Sequence, residues 1–331
     1  MKASERDEFL AAVMELKSTV ANPSAPIEQQ INIYDQFVAD HRGCLSVTVP
    51  NGSTTNMGHQ GPGFGPWHRK YLLEFERALQ EVSGNSDIGL PYWDWTDHER
   101  TESKLFKSKF LGSRSGVIKT GYFAFDKPGT GENTTSRPDW WPNELDGWHI
   151  RPSLAHTFGT TLRRGIDNRS LAIEEDINRL MSRVVYEDTG SAPERDPVTN
   201  LPVIVPLGFR NRLERGPRLH NFGHGWVGGH MGHPLTSPND LIFFLHHCNI
   251  DRLWAQWQED GHEGDAFYPD EHSGEDEGHK INDSMWPWVG NEGGYVPNSV
   301  PLDIVLTDYS GDPSISPADV MDHRTLGYEY N

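Results

Sequence analysis

The feature that most constrains this chain is where its histidines stand. The sequence has 16 histidines in 331 residues. His41, His68 and His247 each occupy an aliphatic position in a stripe of apolar residues with a period near 3.6, which is typical of a helix face that points inward. An imidazole on such a face must find a partner in the interior. These three positions therefore predict an internal polar site between helices.

Three further histidines fit the same interior site. His220 and His224 are four residues apart, so a helix would present both side chains from one side at chelating distance. His59 lies in a glycine-rich segment just before the helix that carries His68. The pattern predicts six imidazoles that converge from four helical segments and one loop.

A single histidine of this kind is more often a core residue that is hydrogen-bonded to backbone. Several together are different, because each buried imidazole without a partner costs about 1–3 kcal/mol, and a metal removes that cost by using the lone pairs. An all-imidazole site suits copper, zinc, iron or nickel. The inward positions lack the carboxylates of di-iron bundles and the cysteines of blue-copper and structural zinc sites. Two sets of three ligands would leave positions open for exchangeable ligands, as in a catalytic site.

The hydrophobic pattern predicts a mainly α fold with a central four-helix bundle, long loops and a few short strands. We expect helices at about 4–18, 27–41, 66–79 and 240–257, with a polar helix near 171–185. Residues 98–208 are rich in Gly, Pro, Thr and Trp and are predicted to form a loop-rich insertion that covers the core. The whole chain, 1–331, is interpreted as one catalytic domain.

Composition excludes several classes of function. The net charge of −19 argues against a nucleic-acid partner, which would need a basic face. The longest apolar stretch, Leu241 to Leu245, is too short to span a membrane. The N-terminus lacks the apolar run of a secretory signal, which fits either a cytoplasmic protein or a mature, trimmed form. Cys44 and Cys248 are too few for a disulfide-stapled fold.

Three long motifs resemble the tyrosinase family of type-3 copper proteins. The segment HQGPGFGPWHRKYLLEFE (59–76) is similar to the first copper motif and PNDLIFFLHHCNIDRLW (238–254) to the second. LHNFGHGWVGGHMG (219–232) resembles the bacterial form of the segment before the second motif. LPYWDWT, GHKINDSMWPW and the final LGYEYN are also similar to family segments, so the resemblance covers nearly the whole chain.

The resemblance implies two copper ions, with molecular oxygen as co-substrate. The implied ligands of the first copper are His41, His59 and His68, and those of the second are His220, His224 and His247. The family spacing selects His247 rather than the adjacent His246, and helix geometry agrees because His246 lies about 100° round the helix. Asp251, one turn later, is predicted to accept a hydrogen bond from a ligand imidazole.

The same resemblance implies ortho-hydroxylation of monophenols and oxidation of o-diphenols to o-quinones. A phenol with a pKa near 10 must lose its proton to bind copper at neutral pH. By analogy with bacterial tyrosinases, Glu214 and Asn221 are predicted to hold a water for this step. Gly225 is predicted to leave the substrate entrance open, and Pro234 falls where some relatives place a gate side chain.

Some residues depart from the family pattern. Gly65 stands where a larger apolar residue is usual. Met57 stands where many relatives have a cysteine cross-linked to the second ligand, so no thioether is expected. LGYEYN resembles the Tyr-x-Tyr motif, Tyr328 and Tyr330, that closes the catalytic domain. Since the sequence stops there without a C-terminal lid domain, we expect an uncovered site.

Several alternatives stay open at this point. The chain could be a catechol or o-aminophenol oxidase without useful monophenol hydroxylation, an oxygen carrier of haemocyanin type, or a zinc-binding structural protein. Three histidines in the acidic segment 258–284 could receive copper from a delivery partner, although a flexible acidic loop is the simpler interpretation; they are His262, His272 and His279. His230 and His233 are interpreted as solvated loop residues near the site. The oligomeric state is left open.

Overall fold

A computed structural model describes residues 1–124, 148–165 and 167–330 of the chain, and helices dominate its ordered backbone. Within the predicted insertion 98–208, residues 125–147 and 166 thus lie outside the described residues. The helices are α1 Ala3–Ser18, α2 Ile33–Cys44, α3 Phe64–Ser83, α4 His98–Arg100, α5 Glu174–Met181, α6 Phe209–Arg215, α7 His220–Val227 and α8 Ile242–Glu259.

The strands are short and lie outside the helical core. They are β1 Val47–Thr48, β2 Thr54–Thr55, β3 Gly116–Val117, β4 Arg163–Arg164, β5 Ser191–Arg195, β6 Pro202–Pro206 and β7 Val296–Pro297. β1 pairs with β2 and β7, β3 with β4, and β5 with β6, and all these pairs are antiparallel. The β5–β6 hairpin is the one longer ribbon among the described residues, and the sequence pattern did not predict it.

Four long helices form a central bundle in which α1 packs against α2 and α3, and α3 packs against α8. Aromatic rings join the three bundle helices that carry predicted ligands. Phe75 of α3 stacks on Phe244 of α8 at a centroid distance of 3.6 Å, and Phe37 of α2 meets Phe75 edge-on at 5.1 Å. Such contacts add to the free energy of burying these side chains. The predicted mainly helical fold with a central bundle is confirmed.

The helix boundaries differ from the predicted ones where polar caps intervene. α2 begins at Ile33 rather than near Ile27, because the side chain of Asn32 accepts a hydrogen bond from the N–H of Asp35 and caps the helix. The residues before it, Ile27–Gln29, form a separate 3₁₀ turn. α3 ends at Ser83, and the next residue, Gly84, has a φ of +65°, the left-handed conformation that favours glycine.

The loop-rich segment is fixed to the bundle by a buried ion pair. Arg164 of β4 contacts both carboxylate oxygens of Asp240, just before α8, at 2.6 and 2.7 Å. Both side chains are fully buried. This bidentate geometry orients the segment firmly against the start of α8. In the described part of the chain, no helix has the length and apolarity that crossing a membrane would require.

Candidate metal centre

The first group of predicted ligands converges as expected. His41 lies in the last turn of α2, His68 in the first turn and a half of α3, and His59 in the loop between β2 and α3. Their ring centroids are 5.0 Å (His41–His59), 5.8 Å (His41–His68) and 5.0 Å (His59–His68) apart. One ring nitrogen from each lies within 4.8 Å of the others. A single ion could contact all three.

The second group converges more tightly. His220 and His224 extend from one side of α7, and His247 extends from α8. Nε2 of His224 lies 3.1 Å from Nε2 of His220 and 3.2 Å from Nε2 of His247. Three imidazole nitrogens that face one point are the expected arrangement around a metal ion.

The two groups adjoin across the α3–α8 interface. His68 of the first group stacks on His247 of the second at a centroid distance of 4.1 Å, with the rings 13° from parallel. His59 and His220 approach to 6.2 Å between centroids. The two candidate sites therefore lie side by side, which suits a dinuclear centre.

Three of the six rings have their tautomer fixed by an oxygen acceptor. Nδ1 of His68 contacts the carbonyl of Phe64 at 2.8 Å, and Nδ1 of His224 contacts that of Met231 at 2.9 Å. Nδ1 of His220 contacts the side-chain oxygen of Asn221 at 2.9 Å. Since these oxygens carry no hydrogen, each Nδ1 must be the donor. The Nε2 lone pair is then free to bind a metal.

The remaining nitrogens support the same conclusion. The ring atoms Nε2 of His41, Nε2 of His68, Nδ1 of His59 and Nδ1 of His247 are buried without a hydrogen-bond partner. Leaving such groups unpaired costs about 1–3 kcal/mol each. An all-imidazole donor set with orphaned lone pairs fits copper well, because imidazole is a preferred copper ligand.

Burial keeps these imidazoles neutral. It lowers the pKa of His59 to about 3, with a further contribution from His224, and that of His220 to about 3, with a further contribution from His59. The pKa values of the other four predicted ligands are also lowered, chiefly by burial. Only the neutral ring offers a lone pair, so the site is prepared for a metal at neutral pH.

His246 is close to the second group but has other partners. Its nitrogens lie near enough to those of His220, His224 and His247 to count as a fourth donor. However, Nδ1 accepts from the indole N–H of Trp95 at 3.0 Å, and Nε2 contacts the carbonyl of His220 at 3.1 Å. Both ring nitrogens are thus occupied. Through its contact with the carbonyl, His246 supports the backbone of His220.

Asp251 requires a correction. It was predicted to accept from a ligand imidazole, but its Oδ1 accepts from Nε of Arg69 at 2.6 Å. Its Oδ2 accepts from the hydroxyls of Tyr328 and Tyr330 at 2.5 and 2.6 Å. Nδ1 of His247 has no hydrogen-bond partner, so it does not donate to Asp251. Arg69 is fully buried, and Asp251 provides its counter-charge in the interior.

Glu214 touches both halves of the site. It is 2% exposed, so it is not a solvated surface charge. Its Oε1 accepts from the backbone N–H of Gln60, next to His59, at 2.8 Å, and its Oε2 pairs with Arg210. Asn221, the other predicted water-holding residue, is exposed and contacts His220.

The two predicted pocket residues lie at the exposed side of the site. Gly225 is exposed and follows His224 on α7, and a Cβ there would meet nothing within 4 Å. Pro234 is also exposed. Burial and neighbouring imidazoles lower the pKa of His41, and the backbone of Pro234 slightly opposes this, which places Pro234 beside that ring.

Other histidines differ from their predicted surroundings. His230 is fully buried rather than solvated: its Nδ1 accepts from the N–H of Arg163 at 3.1 Å and its Nε2 contacts the carbonyl of Gly159. His233 is half-buried and stacks on His156 at 4.6 Å. Neither position belongs to a stripe with a helical period, so the sequence pattern carries no signal of their burial.

The three histidines of the acidic segment 258–284 also differ in their burial. His262 stacks on Trp257 at 4.2 Å and His279 is 5% exposed, whereas His272 is exposed. The three histidines therefore do not form a common surface group. For His262 and His279 the flexible-loop interpretation is wrong, because aromatic stacking and burial fix them to the bundle.

Comparison with known proteins agrees with this geometry. The family model for the common central domain of tyrosinase matches residues 31–260. The chain is 35% identical to a tyrosinase of Streptomyces glaucescens over 295 residues, which is 87% of this chain and 89% of that protein. A grixazone synthase of Streptomyces griseus is 34% identical over 78% of this chain and 81% of its own length.

Solved structures agree on the fold. A polyphenol oxidase variant from Thermothelomyces thermophila superposes with a TM-score of 0.55 at 21% identity, covering 97% of this chain and 84% of that one. An octopus haemocyanin functional unit has a TM-score of 0.55 at 19% identity, covering 100% and 66%. With a matching domain over most of its length and all six motif histidines gathered in one interior site, the chain belongs to the tyrosinase family, whose members hold a dinuclear copper centre.

Proposed function

We propose that this chain hydroxylates monophenols at the ortho position and oxidises o-diphenols to o-quinones, with molecular oxygen as co-substrate. The family assignment makes it a copper-dependent oxidoreductase that acts on phenols. The observation that carries the proposal is the convergence of two adjoining groups of three neutral imidazoles. The proposed ligands of the first copper are His41, His59 and His68, and those of the second are His220, His224 and His247.

The chemistry supplied by the metal is electron transfer to oxygen, for which a copper pair provides two electrons. The protein orients the ligands. For His68, His220 and His224, an oxygen acceptor at Nδ1 fixes the ring, which leaves the Nε2 lone pair available to bind a copper ion. The rings of Phe64 and Phe243 pack against the imidazoles and exclude water from the interior side, with centroid distances of 4.9 Å (Phe64–His220) and 4.1 Å (Phe243–His247).

We further propose that Glu214 and Asn221 together hold a water, through which the carboxylate of Glu214 accepts the phenol proton. A phenol with a pKa near 10 is largely protonated at neutral pH, so a base near the entrance would raise the fraction that can bind copper. The support is positional: Glu214 is buried beside the His59 loop, and Asn221 is exposed beside His220. A carboxylate has about four lone-pair sites, so its two protein contacts leave room for a water.

The entrance would admit substituted phenols. Gly225 adds no side chain on α7, and a Cβ there would meet open space. Pro234 is itself exposed, and its backbone lies beside the ring of His41, which would suit a gate side chain. We propose that these two residues border the substrate pocket.

The test is oxygen uptake by copper-loaded protein with a panel of monophenols, o-diphenols and o-aminophenols. We expect turnover of both tyramine and catechol-type substrates, with a lag on monophenols that a trace of diphenol removes. Turnover of diphenols or aminophenols alone, even with reductant present, would overturn the hydroxylase part of the proposal. No copper-dependent uptake with any phenol would overturn all of it.

A variant and a control test whether Asn221 helps to hold this water. Asn221→Ala removes the exposed amide and is expected to lower kcat for monophenols more than for diphenols. His272→Gln changes an exposed histidine outside the site and should leave both rates unchanged. Equal rates for Asn221→Ala and the unmodified protein on monophenols would remove Asn221 from the mechanism.

A further inference from the structure

We infer that His279 is a positioning residue that holds the loop carrying His59, and through it the first copper. The inference rests on the proposed ligand role of His59. His279 lies in the segment 258–284, whose acidic, glycine-rich composition is typical of a solvated loop.

The His59 loop needs an external support. His41 and His68 extend from helices, whereas His59 lies in the irregular segment between β2 and α3. Its Nδ1 has no hydrogen-bond partner, so no contact from that atom orients the ring. The next residue, Gln60, has a φ of +62°, a left-handed conformation that is unfavourable for a residue with a side chain. Such a backbone persists only where its surroundings enforce it.

His279 contacts the chain on both sides of His59. Its Nδ1 accepts from the backbone N–H of Gly63 at 3.1 Å, and its Nε2 lies 3.3 Å from the hydroxyl of Thr55. Since Nδ1 is the acceptor, the ring proton is on Nε2, which then donates to Thr55. Thr55 is four residues before His59 and Gly63 is four residues after it. One imidazole thus fixes the distance between the two ends of the loop.

The packing is as close as the hydrogen bonding. A Cβ on Gly61 would lie 2.5 Å from Cε1 of His279, and a Cβ on Gly63 would lie 2.9 Å from its Nδ1. Both distances are too short for a real side chain, so the two glycines allow the backbone to lie directly against the ring. The imidazole fills the space beneath the loop.

The environment keeps the ring in the form that this role requires. Burial, aided by the positive charge of Arg210, lowers the pKa of His279 to about 4. The ring is therefore neutral at neutral pH and Nδ1 can accept. Glu214 holds the same loop from another side through the N–H of Gln60. His279 and Glu214 together hold the loop of His59 in place, as helices hold His41 and His68.

The experiment measures copper per chain in the full-length protein after equilibration with a competing chelator, together with the paramagnetic signal of isolated copper(II). His279→Leu keeps the bulk of the side chain but removes both hydrogen bonds. We expect the first copper to bind about 10–100-fold more weakly, so the ratio falls from two toward one and an isolated copper(II) signal appears. His279→Gln can still accept from Gly63 and donate to Thr55, and it should retain two coppers.

Two further variants make the result decisive. His272→Gln, on the same acidic segment but exposed, should behave as the unmodified protein. Thr55→Val removes only the hydroxyl that His279 contacts, and we expect a smaller but selective loss of one copper. If His279→Leu fails to fold, the copper content of Thr55→Val tests the inference in its place. The melting temperature of the metal-free variants should change far less than copper affinity does.

Two results would overturn the inference. One is retention of both coppers with unchanged affinity in His279→Leu, or in Thr55→Val if the former does not fold. The other is a parallel loss of both coppers with a lower melting temperature of the metal-free protein, which indicates core packing alone. If the unmodified protein itself binds fewer than two coppers, the proposed function fails instead, so the two failures are distinguishable.

Discussion

The carboxylate of Glu214 accepts a hydrogen bond from the backbone N–H of Gln60 at 2.8 Å, which ties α6 to the residue that follows His59. The backbone of the same glutamate lies close enough to His220 to influence its pKa, although burial has the largest effect there. Glu214 thus contacts the segments that carry a ligand of each proposed copper. Its partner Arg210 is itself buried and also paired with Glu187.

Replacing this carboxylate should separate two roles, proton acceptance and loop support. Glu214→Gln retains an oxygen for the N–H of Gln60 but is a far weaker base. We expect monophenol kcat to fall about 100-fold, with a loss roughly tenfold smaller for o-diphenols, because their adjacent hydroxyls stabilise the phenolate by an internal hydrogen bond. Initial rates of oxygen uptake measure both. Arg215→Gln, on the exposed neighbour, is the control; equal losses on the two substrate classes would indicate loop support alone.

The adjacent histidines of α8 should differ sharply in their effect on copper binding. His247→Gln removes a nitrogen that faces His224 and should leave about one copper per chain, with activity lowered by more than about 100-fold. His246→Gln can still accept from Trp95 and donate to the carbonyl of His220, so two coppers should remain. Metal analysis of both proteins checks this. Loss of one copper from the His246 variant would contradict the ligand assignment.

The sequence predicts best those features that depend on local periodicity. His41, His68 and His247 were recognisable because an imidazole interrupts an apolar helical stripe, and the structure brings them together. His59 has no such period; its place just before the helix of His68 suggested that it joins the site, and the resemblance to a known motif identified it as a ligand. The cap at Asn32, which starts α2 later than predicted, is a detail that periodicity alone does not resolve.

Features set by long-range contacts could not be predicted in this way. The partners of Asp251 come from Arg69, 182 residues earlier, and from Tyr328 and Tyr330, 77 and 79 residues later. Their sequence spacing carries no signal of contact. His279 was equally hidden, because its acidic neighbours suggest solvation while its ring is buried under the His59 loop.

Gly65 should prove intolerant of a side chain, in contrast to Gly225. A Cβ on Gly65 would lie 2.7 Å from the hydroxyl of Tyr186 and 3.1 Å from the ring of Trp254. We expect Gly65→Ala to lower the free energy of unfolding by about 1–3 kcal/mol. Gly225→Ala has open space on a helix and should instead raise it by about 0.4–1 kcal/mol. Denaturant unfolding compares the two; equal effects would mean that Tyr186 moves aside freely.

Gly225 itself is expected to influence substrate size. Gly225→Val places a branched side chain at the exposed side of α7, where the proposed entrance lies. The kcat/KM for phenols with a bulky para substituent should fall several-fold, while the value for unsubstituted catechol should change little. Steady-state kinetics on both substrates check this. An identical change for the two substrates would place Gly225 outside the substrate path.

Asp251 should matter for stability rather than for copper binding. Asp251→Asn leaves the buried guanidinium of Arg69 without its counter-charge, which should lower the free energy of unfolding by about 3–5 kcal/mol. Tyr330→Phe removes one hydrogen bond to a charged group and should have a smaller effect of about 1.5–3 kcal/mol. Copper content should stay at two per chain in the Tyr330 variant. A selective loss of one copper there would restore the link between Asp251 and a ligand.

The buried ring of His279 should make the metal-free protein sensitive to acid. Its pKa in the folded chain is about 4, because of burial and Arg210, against a usual value of 6.5. The carboxylates of Asp276, Glu187 and Asp283 oppose this shift without reversing it. Between pH 4 and pH 6.5, His279 is protonated in the unfolded chain but neutral in the folded chain. The contribution of the neutral ring to the free energy of unfolding is therefore complete above pH 6.5 and is lost as the pH falls toward 4.

The comparison with His279→Gln isolates this contribution, since glutamine does not titrate while the other histidines remain. As the pH falls from 6.5 to 4, the free energy of unfolding of the unmodified metal-free protein should decrease by up to roughly 3 kcal/mol more than that of metal-free His279→Gln. Urea unfolding at several pH values measures it, with His272→Gln as a control that should follow the unmodified curve. Parallel curves for the unmodified and His279→Gln proteins would show that His279 takes up its proton without leaving the loop.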